Sequence, residues 1–229
     1  MKKITIIRSV IIFIVFLLML AGSILGYDYY KLTNVDTKTL LETSINNLSH
    51  RESYRFSLSS KLQLNNYNTA KTIIAGERDK NKNLHIWGKI MDTELEMYQI
   101  DKSQYRYNSK AKQWVIWKNY PLNTEPLLLM EILPETNFTP LAMKKQTYLG
   151  KEISHGKIYH IYEIILQEDS HIASEFFGNF SYKVYIEAKS KEIVKTTIKA
   201  INKKNAINTL AIKIEFFDIN DTFTLSPPN

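Results

Sequence analysis

The sequence predicts a mainly β chain: an N-terminal membrane-spanning helix, then a curved antiparallel sheet of about ten or eleven strands enclosing one or two short helices. Three observations carry this. A basic tip (Lys2, Lys3, Arg8) precedes an apolar run from Val10 to Leu25 without one charged side chain. From Ser53 onward the hydrophobic pattern repeats every second residue, broken by short turns rich in Asn, Lys, Asp and Gly. The 229 residues include no cysteine, which removes disulfides and thiolate chemistry and leaves the fold to its core.

At about 1.5 Å per residue, a helix over residues 9–27 spans roughly the hydrocarbon core of a bilayer, with Val10, Phe13, Phe16, Leu18, Leu20 and Leu25 as its apolar anchor. Cationic residues stay on the cytoplasmic side. Residues 1–8 then form a cytoplasmic tip, 28–36 a tether, and 37–229 a single domain outside the cell membrane. A cleaved secretory signal is the competing reading, because Ala21 and Ser23 satisfy a small-x-small cleavage site. The length of the run and the bulky Ile24, Leu25 and Tyr27 favour a retained anchor. Leu20-Ala21-Gly22-Ser23 has the form of a bacterial lipobox with Ser23 in place of the lipidated cysteine, so no lipid is attached there. The formal charge is +7, and without the tip 27 cations face 23 anions. Such mild basicity suits an anionic membrane surface and is too weak to argue for nucleic acid.

Within the domain, Thr39-Leu40-Leu41-Glu42 has capping-box spacing, and Leu41, Ile45 and Leu48 recur on one helical face. From Ser53 the period becomes two: Tyr54, Phe56, Leu58, Leu62 and Leu64 point one way, and Arg55, Ser57, Ser59 and Lys61 the other. Further strands are expected at about 71–78, 84–91, 94–100, 105–108 and 113–117, joined by turns short enough for an antiparallel meander. Residues 125–133 break the pattern: Pro126 suits a first helical turn, Pro134 stops it, and Leu127, Leu128, Met130 and Leu133 leave little polar surface. This short helix either packs on the sheet or covers an apolar cleft. Strands resume at 147–154 and 157–166, where both faces are apolar. A looser aromatic segment, 170–180, precedes strands at 182–188, 193–201 and 209–217.

Catalytic constellations are weak. The five histidines lack metal-ligand spacing, and no nucleophile elbow, phosphate loop or dinucleotide fingerprint occurs among seven glycines. Glu94 and Glu96 share a strand face, an arrangement more usual of a solvated surface than of a glycosidase pair. Tyr105, Tyr107, Trp114 and Trp117 lie among Lys102, Arg106, Lys110, Lys112 and Lys118; cross-strand packing is the default for them, with a headgroup-facing hairpin as the functional alternative.

The order of several short pieces resembles the LolA-like superfamily, which includes lipoprotein carriers, LppX-type lipid-binding lipoproteins and RseB-type regulators. The pieces are Ser53-Tyr54-Arg55-Phe56 after a helix, Gln113-Trp114 after a lysine turn, Leu149-Gly150-Lys151-Glu152 with Gly156-Lys157-Ile158-Tyr159, Val184-Tyr185-Ile186-Glu187 leading to Lys195, and Phe217-Asp218-Ile219-Asn220 with Leu225-Ser226-Pro227. The resemblance implies an incomplete barrel whose apolar concave face holds acyl chains, each buried CH₂ contributing about 0.8 kcal/mol. No family binding residue maps onto the chain; from its own apolar pattern, Tyr54, Phe56, Leu58, Tyr162 and Ile164 are the expected cleft, and Leu127, Leu128, Met130 and Leu133 its gate. The expected function is an anchored extracytoplasmic domain for a lipid or other hydrophobic ligand, without enzymatic activity, cofactor, metal or nucleic-acid partner. The alternative is a cell-envelope interaction or sensor module of the same fold, with a self-filled groove and a protein partner.

Overall fold

The alternation that begins at Ser53 becomes one sheet of eleven antiparallel strands. The structure, a computed structural model, describes residues 29–64, 68–118, 143–166 and 176–228, with 14, 16–20, 22–23 and 26–27 before them. Strands β1 (Tyr54–Leu64), β2 (Asn68–Arg78), β3 (Leu84–Ile90), β4 (Thr93–Ile100), β5 (Ser103–Asn108) and β6 (Gln113–Lys118) form the predicted meander. Strands β7 (Met143–Ser154), β8 (Lys157–Leu166), β9 (Phe177–Glu187), β10 (Ile193–Asn202) and β11 (Thr209–Phe217) form a second one. The two join where β1 pairs with β11, from Arg55 opposite Phe217 to Gln63 opposite Thr209. Successive strands β6 and β7 therefore stand at opposite edges of an open sheet.

The largest extensions beyond the predicted strands are at the starts of β7 and β9, for physical reasons. β7 is an edge strand whose first residues, Lys144 to Tyr148, are all exposed, so no apolar alternation marks it. β9 takes in Phe177 to Ser181 of the aromatic segment, where its register against β10 shifts near Asn179 (φ 53°). A bulge interrupts the period of two that pattern reading depends on.

Helix α1 (Thr37–Ser49) starts earlier than the capping-box spacing suggests. Its N-cap is Asp36, whose carboxylate accepts the Lys38 N–H at 3.1 Å and the Thr39 hydroxyl at 2.5 Å. These hydrogen bonds hold the Asp36 carboxyl below its ordinary pKa, with Thr39 as the largest contribution. An ionised cap beside the positive end of the helix outcompetes Thr39 for that role.

The described part of the N-terminal segment is helical, and Phe16, Leu18 and Leu20 are exposed on it. Val10, Phe13 and Leu25 of the predicted anchor lie outside the described residues. Among the described residues no helix is long and apolar enough to cross a membrane. Within the predicted tether, residues 29–33 are helical.

α1 buries Leu40, Leu41, Ile45 and Leu48 against inward-facing residues of the sheet, which run from Leu95 and Met97 on β4 through Tyr54 and Phe56 on β1 to Tyr162 and Ile164 on β8. Eight strands at about 4.8 Å spacing would extend about 34 Å if flat, three times the width of a helix, so reaching one helix requires the sheet to curve around it. Gly76, opposite Phe56, makes room at the centre: a Cβ there would meet the Phe56 ring at 2.5 Å.

Candidate functional site

The concave face divides into two zones along β1. Tyr54, Phe56 and Leu58 are sealed, Ser60 and Leu62 are half-buried, and Leu64 is exposed. Burial rises from 2% exposure at Leu58 to 39% at Leu64. The same gradient runs along β11, where Phe216, Ile214 and Ile212 are buried and Leu210 is half-buried, and along β2, from Ile74 to Thr72 and Ala70. A helix of 13 residues is about 20 Å long and a strand of 11 residues about 36 Å, so α1 lacks the length to cover these strands end to end. What remains is an apolar inner surface built by Leu62, Leu64, Ile90 and Leu210.

Five of the predicted cleft residues, Tyr54, Phe56, Leu58, Tyr162 and Ile164, come together in the zone that α1 covers, inside the core. The other four, Leu127, Leu128, Met130 and Leu133, lie outside the described residues. Leu62 and Leu64 had a signal in the sequence, since they continue the alternation of β1 on the same face. Ile90 and Leu210 had the same signal, continuing the alternation of Leu84 and Ile86 on β3 and of Ile212, Ile214 and Phe216 on β11.

Both ends of α1 are fastened to the β8–β10 side. At its entrance the buried His160 holds the Leu32 carbonyl through Nε2 at 3.0 Å and meets the Tyr148 hydroxyl through Nδ1 at 3.0 Å. The Tyr162 hydroxyl donates to the Thr37 carbonyl at 2.8 Å. Burial pushes both tyrosines' pKa values up, Tyr162 far more than Tyr148, which keeps the phenols protonated as donors. Past the helix end, Arg51 donates to Glu192 through Nε at 3.0 Å and Nη2 at 2.9 Å, and its guanidinium lies 4.7 Å from the centre of the Phe216 ring. Asn47 adds a bond to the Lys191 carbonyl at 3.3 Å.

The acidic and histidine residues do not assemble into a catalytic site. Glu94 is exposed, and Glu96 turns towards His85 at 3.7 Å. His85 stacks on Tyr98, centroids 3.8 Å apart, and meets Glu77 at 3.3 Å; Arg55 then links Glu77 (3.0 Å) to Asp218 (2.7 Å). Together these form a polar band on the outer face. His155 sits in the β7–β8 turn at φ 50°, apart from His160. Among the described residues no three His, Cys, Asp or Glu side chains group as a metal site. The β5–β6 aromatics pack across strands, Tyr107 to Trp114 at 5.2 Å and Tyr98 to Trp114 at 5.5 Å, while Trp117, three residues from Trp114, projects from the opposite face.

No protein-family profile and no curated protein matches the chain. Among solved structures it is similar to the lipoprotein LppX of Mycobacterium tuberculosis, with a TM-score of 0.54 and 9% identity over 84% of this chain and 100% of that one. It is also similar to LprF of Mycobacterium bovis, with a TM-score of 0.55 and 13% identity over 83% and 95%. The chain thus has an LppX-like fold. At these identities the likeness is one of fold alone.

Proposed function

We propose that this chain is a membrane-anchored, extracytoplasmic, non-enzymatic domain that binds a lipid or other hydrophobic ligand on the uncovered end of its concave face. The observation that carries this reading is the apolar inner surface at Leu62, Leu64, Ile90 and Leu210, which among the described residues continues past the helix-covered core, half-buried at three positions and exposed at Leu64. Exposed apolar surface of this kind marks a binding site more often than a plain protein exterior. The anchor rests on the charge-free run from Val10 to Leu25 and the exposed helical Phe16, Leu18 and Leu20. Leu127, Leu128, Met130 and Leu133 are the sequence-derived candidates for its cover.

The test is organic extraction and mass spectrometry of the full chain purified in an amphipathic polymer, beside Leu62→Asp and Leu210→Asp variants. The expected result is a lipid of defined mass on the parent chain, lost from variants whose thermal unfolding is unchanged. No extractable lipid, together with no uptake of a fluorescent fatty acid, would sink the reading. The second reading, a cell-envelope interaction or sensor module, draws on the covered zone: Tyr54, Phe56, Leu58, Tyr162 and Ile164 are filled by the chain's own helix. It expects a protein partner in place of the lipid.

A further inference from the structure

The outer face of the sheet, opposite the proposed ligand surface, carries a concentration of positive charge. Cross-strand register aligns Lys89, Ile73, Ser59, Lys213, Thr197 and Lys183 in one row from β3 to β9. The row beside it reads Lys71, Lys61, Ala211 and Lys199 from β2 to β10. Four of these lysines, Lys61, Lys71, Lys199 and Lys213, rim a shallow depression of about 370 Å³ whose floor includes Ile73 and Ala211.

The row ends on counter-charge at both sides, Glu94 opposite Lys89 and Glu163 opposite Lys183, so the lysines that concentrate charge are the four around the depression. Lys213 reaches Glu215 at 2.8 Å, and the Lys183 ammonium lies 5.4 Å from the centre of the Tyr185 ring. Among the described residues no carboxylate forms an ion pair with Lys61, Lys71 or Lys199. Lys61 and Lys71 stand directly opposite each other, and like charges at facing positions oppose strand pairing. Ile73, between them and Lys89, is 64% exposed. Among the described residues the facing Lys61 and Lys71 have no complement, which favours one outside the sheet.

The form of the face selects the complement. The four lysines around the depression, on four neighbouring strands, cover about 14 Å, nearly twice a Debye length at physiological salt, so they act on several negative charges and not on one. A small anion would need donors converging on one point, whereas these ammonium groups sit on exposed stems around an open, apolar-floored dish. A bilayer leaflet rich in anionic headgroups matches both features, with phosphates for the lysines and an interfacial apolar layer for Ile73. We propose that the outer face of β2, β1, β11 and β10 docks on an anionic membrane surface. The proposed anchor would place the domain near such a surface, but docking is a separate contact with its own readout.

The chain has no cysteine, so a single one placed by substitution can be labelled uniquely. Ile73→Cys carrying an environment-sensitive fluorophore reports on the face, and Ser190→Cys, in the β9–β10 turn, reports on a remote point. The labelled full chain is added to phosphatidylcholine vesicles with or without phosphatidylglycerol. Flotation reports the anchor, and emission reports the face. Docking gives a blue shift at residue 73 only when phosphatidylglycerol is present, reversed by high salt and absent at residue 190. Changing Lys61, Lys71, Lys199 and Lys213 together to Gln then weakens the response to phosphatidylglycerol by about a hundredfold or more, while circular dichroism and thermal unfolding stay unchanged.

Equal emission in both vesicle types overturns the proposal, as does a shift that survives the four substitutions. Displacement by soluble glycerophosphate would identify a small-anion site and also overturn it. Lipid extraction from the unlabelled chain reads the concave face independently: extracted lipid without the shift at residue 73 leaves the ligand reading intact and removes only the docking face.

Discussion

Tyr54, Phe56 and Leu58 at one end of β1 lie under α1, whereas Leu62 and Leu64, on the same strand and face, are half-buried and exposed. The residue types are alike and the alternation is continuous. What differs is the layer above, since a 13-residue helix ends before an 11-residue strand does. Equal sequence pattern therefore gives a core at one end and, among the described residues, a less covered apolar surface at the other, where the proposed ligand would sit.

The sharpest way to break this contrast is truncation. Phe56→Ala, inside the covered zone, is expected to lose about 3–5 kcal/mol, and Leu64→Ala less than about 1 kcal/mol, in denaturant unfolding. Equal losses would mean that both zones are core. Next comes the fastening of α1 beyond its C-terminal end. Arg51→Ala leaves Glu192 without its partner where the two side chains are 1% and 13% exposed, and is expected to cost about 3 kcal/mol. Arg51→Met with Glu192→Leu should recover most of that, because paired apolar side chains need no counter-charge. If the double variant is no better than the single one, the salt bridge is not what holds that end.

The smallest effect is acidic. Asp36 has a lower pKa folded than its reference value of 3.8, so its contribution is complete above that value and is lost as pH falls through the folded pKa. Parent protein should lose a little stability below about pH 4 that Asp36→Asn does not lose, since Asn caps without titrating. Superimposable acid profiles of the two would remove Asp36 from the account of how α1 is held.

Reading along the chain located most strands within a few residues, because each alternates apolar and polar positions. The exceptions were informative. The start of β7 escaped because its residues are exposed at a sheet edge, and the start of β9 because a register shift broke its period. At the site, Leu62 and Leu64 were visible as inward-facing positions, but nothing local distinguished them from Phe56 and Leu58. His160 had no local signal either, since its partners, the Leu32 carbonyl and the Tyr148 hydroxyl, come from the tether and a neighbouring strand.

Which residues form strands, which face each side chain takes, the lack of disulfides and the charge-free N-terminal run are all written in the order of residues, because they depend on periods of two to four positions and on composition. The pairing of β1 with β11, the opposed edges at β6 and β7, the point where α1 stops covering the concave face and the gathering of lysines from separate strands on the outer face were decided by the fold. Each brings together residues that are distant in the chain, and no local period encodes such a meeting.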